Sequence, residues 1–184
     1  MERVIKKYEP TYEREPYGEV QKKIEDFKST WKKEEKLILE SMTDLLDLDF
    51  SEQEIQLFLV STIYGGFSNP LTISTKMDVN RFPNTLTHEL IHRLGSFNRQ
   101  GVDGSKIQRE MFPEENKVVA YHVVVHAVHK HLYLNVLKEP ARLEEDTQRL
   151  KNIHAEDYVR SWEIVEERGY ENIISAFKAK YHTN

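Results

Sequence analysis

Between Pro83 and Gly95 the chain reads "PNTLTHELIHRLG", which sets His88 and His92 four residues apart with Glu89 beside the first. On a helix, residues four apart stand one above the other on the same side. Pro83 with Asn84 or Thr85 can start such a helix, and Gly95 can end it. Leu86, Leu90 and Leu94 then line the face opposite His88 and His92. This two-faced segment constrains any fold of the chain: the leucine side has to pack inward, and the histidine side then lines a cleft.

The rest of the chain has to supply that core. Its 184 residues suit one domain over 1–184, with helical additions at both ends. A composition 39% hydrophobic and 31% charged is that of a soluble globular protein. The net charge of −5 points to neither nucleic acid nor an anionic membrane as a partner. There is no cysteine, which excludes disulfides, thiolate zinc sites and cysteine nucleophiles. The opening "MERVIKKYEPTYEREPYG" is charged from its second residue and has no apolar core, so it does not read as a signal peptide. No run is long and apolar enough to span a bilayer, and residence in the cytoplasm is the expectation.

Residues 1–16 read as an extended arm. From Tyr17 to about Leu46 the spacing is helical: Val20, Ile24, Phe27 and Trp31 form one stripe, and Leu37, Leu39, Met42, Leu45 and Leu46 continue it. That is one long helix, or two joined near Ser29-Thr30. Ser51 and Glu54 fit a capping box, but the residues that follow alternate as strands do. Two antiparallel strands are expected, roughly 54–62 and 71–79, joined by the turn-rich "IYGGFSNP". Residues 96–112 read as a loop. A helix follows from Pro113 to Pro140, and two or three amphipathic helices complete the chain, with Gly169 as a break. The expected class is α+β, mostly helical, with a small antiparallel sheet beside the helix of the opening motif.

His88 and His92 can present two imidazoles to one metal ion, and Glu89, about 100° round the helix, can serve a water on that ion without binding it. Zinc suits such a site, because it accepts neutral imidazole and can keep one position open. In these residues the chain resembles the zincin superfamily of zinc metallopeptidases, over roughly residues 54–95. The resemblance implies His88 and His92 as zinc ligands, Glu89 as general base, and a neighbouring strand that pairs with a peptide or protein substrate. The metzincin extension is incomplete: Gly95 is in place, but Asn98 stands where a third histidine would fall.

A catalytic zinc takes three protein ligands and a water. On the helix after Pro113, Glu115, Val119, His122, His126, His129 and Tyr133 share one narrow sector, and His131 points the other way, to solvent. His122 is the leading third ligand, since it sits mid-helix on a rigid element. Glu115 is the alternative that a gluzincin-like site would use, although the acid one turn later in that group is Val119 here. His126 is the remaining candidate, as ligand, orienting group or oxyanion donor. In this reading Glu89 takes a proton from water and passes it to the leaving amine, while His126 or a tyrosine steadies the oxyanion. "LTISTKM" could bind extended peptide along its edge, and "YGGFSNP" reads either as a lid or as a plain hairpin connection. The rival readings are a binding module with a structural zinc closed by four protein ligands, and a helical interaction protein with no metal.

Overall fold

The structure, a computed structural model, describes residues 16–61 and 63–182, so the expected arm lies outside the described residues but for Pro16. Helix α1 (Tyr17–Lys32) and helix α2 (Glu35–Leu46) follow at once. Phe27 is buried on α1, and Ile38, Met42 and Leu46 are buried on α2. Leu37 faces out, so the α2 stripe is registered on Ile38 instead. The joint falls at Lys33-Glu34, not Ser29-Thr30. Thr30 lies within the helix, its hydroxyl donating to the Asp26 carbonyl at 2.8 Å. Glu34 meets Arg142 through two bonds of 2.9 Å each, which turns the chain there.

No helix begins at Ser51. Its N–H and hydroxyl both donate to the Phe97 carbonyl at 3.1 Å, which ties the loop to the end of the motif helix. Three strands follow: β1 (Phe58–Val60), β2 (Gly66–Ser68) and β3 (Leu71–Ser74). Their order is β1-β3-β2, with β1 parallel and β2 antiparallel to β3. The sheet is therefore mixed rather than antiparallel, and its strands are shorter than expected. The cause is the connection: "GFS" within it forms a strand on the far edge of β3, leaving β1 to pair on the other side. "LTIS" is then the central strand and has no free edge for a peptide. The open edge nearest the motif helix belongs to β2.

A short 3-10 turn, Val79–Arg81, is capped by the Asp78 carboxylate, which accepts the Asn80 N–H at 2.8 Å. Helix α3 (Phe82–Ser96) follows, with Pro83 in its first turn. Leu86, Leu90 and Leu94 are all at most 5% exposed, as their spacing requires. Gly95 does not end the helix. It is a crossing point, because a Cβ on Gly104 would stand 2.6 Å from the Gly95 carbonyl oxygen. Gly104 opens helix α4 (Gly104–Met111), capped by Asp103, inside the stretch expected to be a loop. Asn98 accepts the Val102 N–H at 2.8 Å and donates to the Leu94 and Val102 carbonyls, so it closes the turn between the two helices.

Helix α5 (Lys117–His131) begins four residues after Pro113, because Asn116 caps it by accepting the N–H groups of Val118 and Val119. It runs into one π-type turn, Leu132–Val136. The C-terminal part is α6 (Pro140–Asn152), α7 (Glu156–Arg168) and α8 (Tyr170–His182), with Gly169 breaking the last two at φ +79°. Helix α5 packs against α3, α4, α7 and α8, and the buried apolar side chains form one continuous cluster around it. Among the described residues, no helix is long and apolar enough to cross a membrane.

The α3–α4 crossing gives a paired test. Gly104→Ala is expected to destabilise the chain by about 1–3 kcal/mol in urea unfolding, since backbone has to move. Gly95→Ala, whose Cβ would meet nothing within 4 Å, should stabilise it by up to about 1 kcal/mol through helix propensity. Equal effects from the two would refute the crossing.

Candidate metal centre

The leucine face of α3 turns His88 and His92 toward α5, where His122 stands opposite. The three ring centroids lie 4.9, 5.1 and 4.8 Å apart. One nitrogen from each comes within 4.8 Å of the others, a group that could hold a metal ion. His122 Nδ1 lies 2.6 Å from the Val118 carbonyl, which can only accept. Nδ1 therefore carries the proton, and Nε2 presents a lone pair. That Nε2 faces His92 Nε2 at 3.2 Å, close to the roughly 3.4 Å between two nitrogens on a tetrahedral zinc. A pair at the outer spacing of 4.8 Å has to close by about 1.4 Å to grip such an ion. The chemistry of the donor set therefore fits: three neutral imidazoles, one with its outer nitrogen already fixed by a backbone carbonyl.

Glu115 does not join them. It precedes the cap of α5, so the helical spacing that placed it beside His122 does not apply to it. Its carboxylate instead accepts from Arg160 Nε and Nη2 at 3.2 and 2.9 Å. His126 is buried at the edge of the group, its ring stacked on Trp162 at 4.4 Å. Ser161 donates its only hydroxyl proton to the Tyr158 carbonyl at 2.8 Å, so it accepts from His126 Nδ1 at 2.9 Å. His126 Nε2 is then also a lone pair. His129 is buried on the cleft wall with both ring nitrogens unbonded, and Tyr133 lies beneath it. His131 is half-buried beside Asn135 and Tyr170, away from the group.

Glu89 is 8% exposed and lines a cleft of about 580 Å³ together with His88, Tyr158 and the turn before β2. Among the described residues, no hydrogen bond or salt bridge engages its carboxylate. Burial pushes its pKa up to about 7. Strand β2 crosses directly above: a Cβ on Gly66 would stand 2.9 Å from Glu89 Cγ. Arg93 holds the strand there. It donates to the Ser68 carbonyl at 2.8 Å and to the Glu52 carboxylate through Nε and Nη2. Neither Gly66 nor Arg93 carried a sequence signal, because each acts across a contact between distant segments. Tyr158, on α7, also escaped notice. Its ring lies 4.2 Å from that of His122 and 6.1 Å from that of His88, and its hydroxyl is held protonated by burial and then by the Glu89 charge.

Comparison with protein-family models, with curated proteins and with solved structures yields no match to this chain. The site has to be read from its own chemistry.

Two predictions follow from that chemistry. Burial holds all five clustered imidazoles below the ordinary histidine value, to about 3 for His92 and about 4 for His129. The unfolded chain therefore binds protons first as the pH falls below about 6.5. The stability tied to these groups is complete above that pH and is lost as the pH drops through the lowered values. Glu89 works the other way: its raised pKa stabilises the fold below the unfolded carboxylate value, and this is lost as the pH rises through about 7. Five groups outweigh one, at about 1.4 kcal/mol per proton and pH unit. Urea unfolding of the metal-free chain should show a steep loss of stability between about pH 6.5 and about pH 5; a flat profile would contradict the buried cluster. Separately, Gly66→Ala should cost about 1–2 kcal/mol, and less in a Glu89→Ala background, where the Thr72 carbonyl, 3.1 Å from the added Cβ, still resists it. The same cost in both backgrounds would mean that β2 does not close on Glu89.

Proposed function

We propose that this chain is a zinc-dependent metallopeptidase that hydrolyses peptide bonds with Glu89 as general base, and that its resemblance to the zincins extends to this site. One observation carries the reading: a buried carboxylate, engaged by no other group among the described residues, stands on a cleft beside three convergent imidazoles. His88, His92 and His122 would hold the ion, and three neutral nitrogen donors favour zinc over harder cations. When bound, zinc would supply a Lewis acid that polarises the scissile carbonyl and acidifies water near neutral pH.

The chain's own residues account for the rest. Glu89 takes a proton from the attacking water and returns it to the leaving amine. A carboxylate with a pKa near 7 can do both at neutral pH. Tyr158 donates its hydroxyl to the developing oxyanion. His126 cannot donate from Nε2 while Ser161 holds its proton on Nδ1, so the tyrosine is the better donor. The open edge of β2 offers backbone pairing to an extended peptide, the role that β3 cannot take from the centre of the sheet.

Metal analysis of untagged protein should find about one zinc per chain. His122→Ala should lose it. Glu89→Gln should keep it and cut hydrolysis of a mixed set of quenched-fluorescence peptides by at least about a hundredfold. Zinc without hydrolysis by the unaltered chain would make this a binding module with a structural metal. Absence of zinc would leave a helical interaction protein.

A further inference from the structure

The cleft does not stop at the histidines. It continues along α3 toward its first turn, where Arg81 and Arg149 line it. Arg81, Asn84, Thr85 and His88 follow one another at helical spacing on that wall, and Arg149 reaches in from α6. Arg81 makes no side-chain hydrogen bond or salt bridge among the described residues. Arg149 gives Asp146 a single bond of 3.2 Å, and its Nε is buried without a partner. His129 lines the same wall, its ring 5.6 Å from that of His88, and it is 2% exposed with neither nitrogen bonded. The nearby carboxylates do not satisfy these donors. Asp78 is turned back to cap its own 3-10 turn, and Asp146 takes one N–H of Arg149. Burial first, and the Arg149 charge second, hold Arg81 below the ordinary arginine value, against the opposing charges of Asp146 and Asp78 on the same wall.

Two guanidinium groups that repel each other, with N–H donors unspent, form a receptor for an acceptor with two oxygens. A carboxylate suits the place better than a phosphate, because Asp146 beside it would repel a dianion. Seven residues of helix separate Arg81 from His88, about 10 Å, which an extended peptide covers in about three residues. We propose that Arg81 and Arg149 form a carboxylate subsite, which selects peptides carrying a carboxylate two or three residues from the bond that is cut. The link to a cut bond rests on the peptidase reading; the subsite itself does not. The carboxylate is either the C-terminus of a short peptide or an acidic side chain within a longer one.

The test reads binding directly. The arginine Nε–Hε resonances of the full-length chain are followed by NMR during titration with N-acetyl-Ala-Ala-Ala, its C-terminal amide, and N-acetyl-Ala-Glu-Ala amide, with chelator and again with zinc. The free acid should shift the Arg81 and Arg149 signals and bind at least about tenfold more tightly than the plain amide. Arg81→Gln and Arg149→Gln should each remove that preference, and the two Arg→Lys variants should keep part of it. If Arg149→Gln fails to fold, Arg81→Gln decides the matter, since Arg81 has no bonded partner among the described residues to lose. A glutamyl amide that binds as tightly as the free acid assigns the subsite to acidic side chains; a weaker one assigns it to the C-terminus. Equal binding of acid and plain amide, or no shift at about 50 mM peptide, where very weak binding still registers, overturns the proposal. A preference for the acid in a chain that cuts no peptide keeps the subsite and rejects the peptidase. Hydrolysis that ignores the carboxylate does the reverse.

Discussion

The burial of Leu86, Leu90 and Leu94 along one side of α3 is the interaction on which the rest of the site depends. Each buried leucine is worth about 1.5–3 kcal/mol, so the three together set the rotation of the helix. With that rotation set, His88 and His92 can point only toward α5 and the cleft. The Arg93 clamp is a finer control. Its partner Glu52 keeps 40% of its side chain exposed, so water and salt weaken that pair. The bond from Arg93 to the Ser68 carbonyl is what matters for the site, because it seats β2 and Gly66 over Glu89.

Helix α5 carries the opposite burden. Its valines fill the core, yet His122, His126 and His129 are buried among them. Imidazole can sit there because it can be neutral, and the surroundings keep it neutral. Two of the three have a protein partner for one nitrogen: the Val118 carbonyl for His122 and Ser161 for His126. His129 has none among the described residues, and an unmet buried polar group costs about 1–3 kcal/mol. Among the described residues, buried polar atoms without a partner occur on the cleft wall at His129 and Arg149, and away from it at Thr87, Gln108, Tyr133 and Trp162. Those on the cleft wall are of the kind found on surfaces that meet a ligand.

The helical parts of the fold were legible because their signals are local. Pro83, the 3.6-residue leucine period and Gly169 each act within a turn or two of themselves. The misreadings share the opposite property. Parallel pairing of β1 with β3 depends on where the connecting strand lies in space. Helix α4 hid behind two glycines: Gly101 takes a positive φ in the turn, and Gly104 permits a close crossing with α3, an approach that has no trace along the chain. The start of α5 turned on Asn116 outcompeting Pro113, two plausible starts three residues apart. That short slip moved Glu115 off the helix and out of the ligand set.

The sequence by itself determined that two imidazoles and a carboxylate would share one helix, with its leucine face turned inward, because periodicity alone sorts side chains around a helix. It also determined that a second helix would carry a histidine-rich seam. Which member of that seam meets the first pair was decided only by tertiary structure. The choice of His122 depends on the crossing of α3 and α5, on Arg160 claiming Glu115, and on Ser161 and Trp162 holding His126 to one side. The glycine over Glu89, the tyrosine beside His122 and the paired arginines along the cleft come from segments far apart in sequence. Long-range packing alone brings such groups within reach of one another, and no local pattern records it.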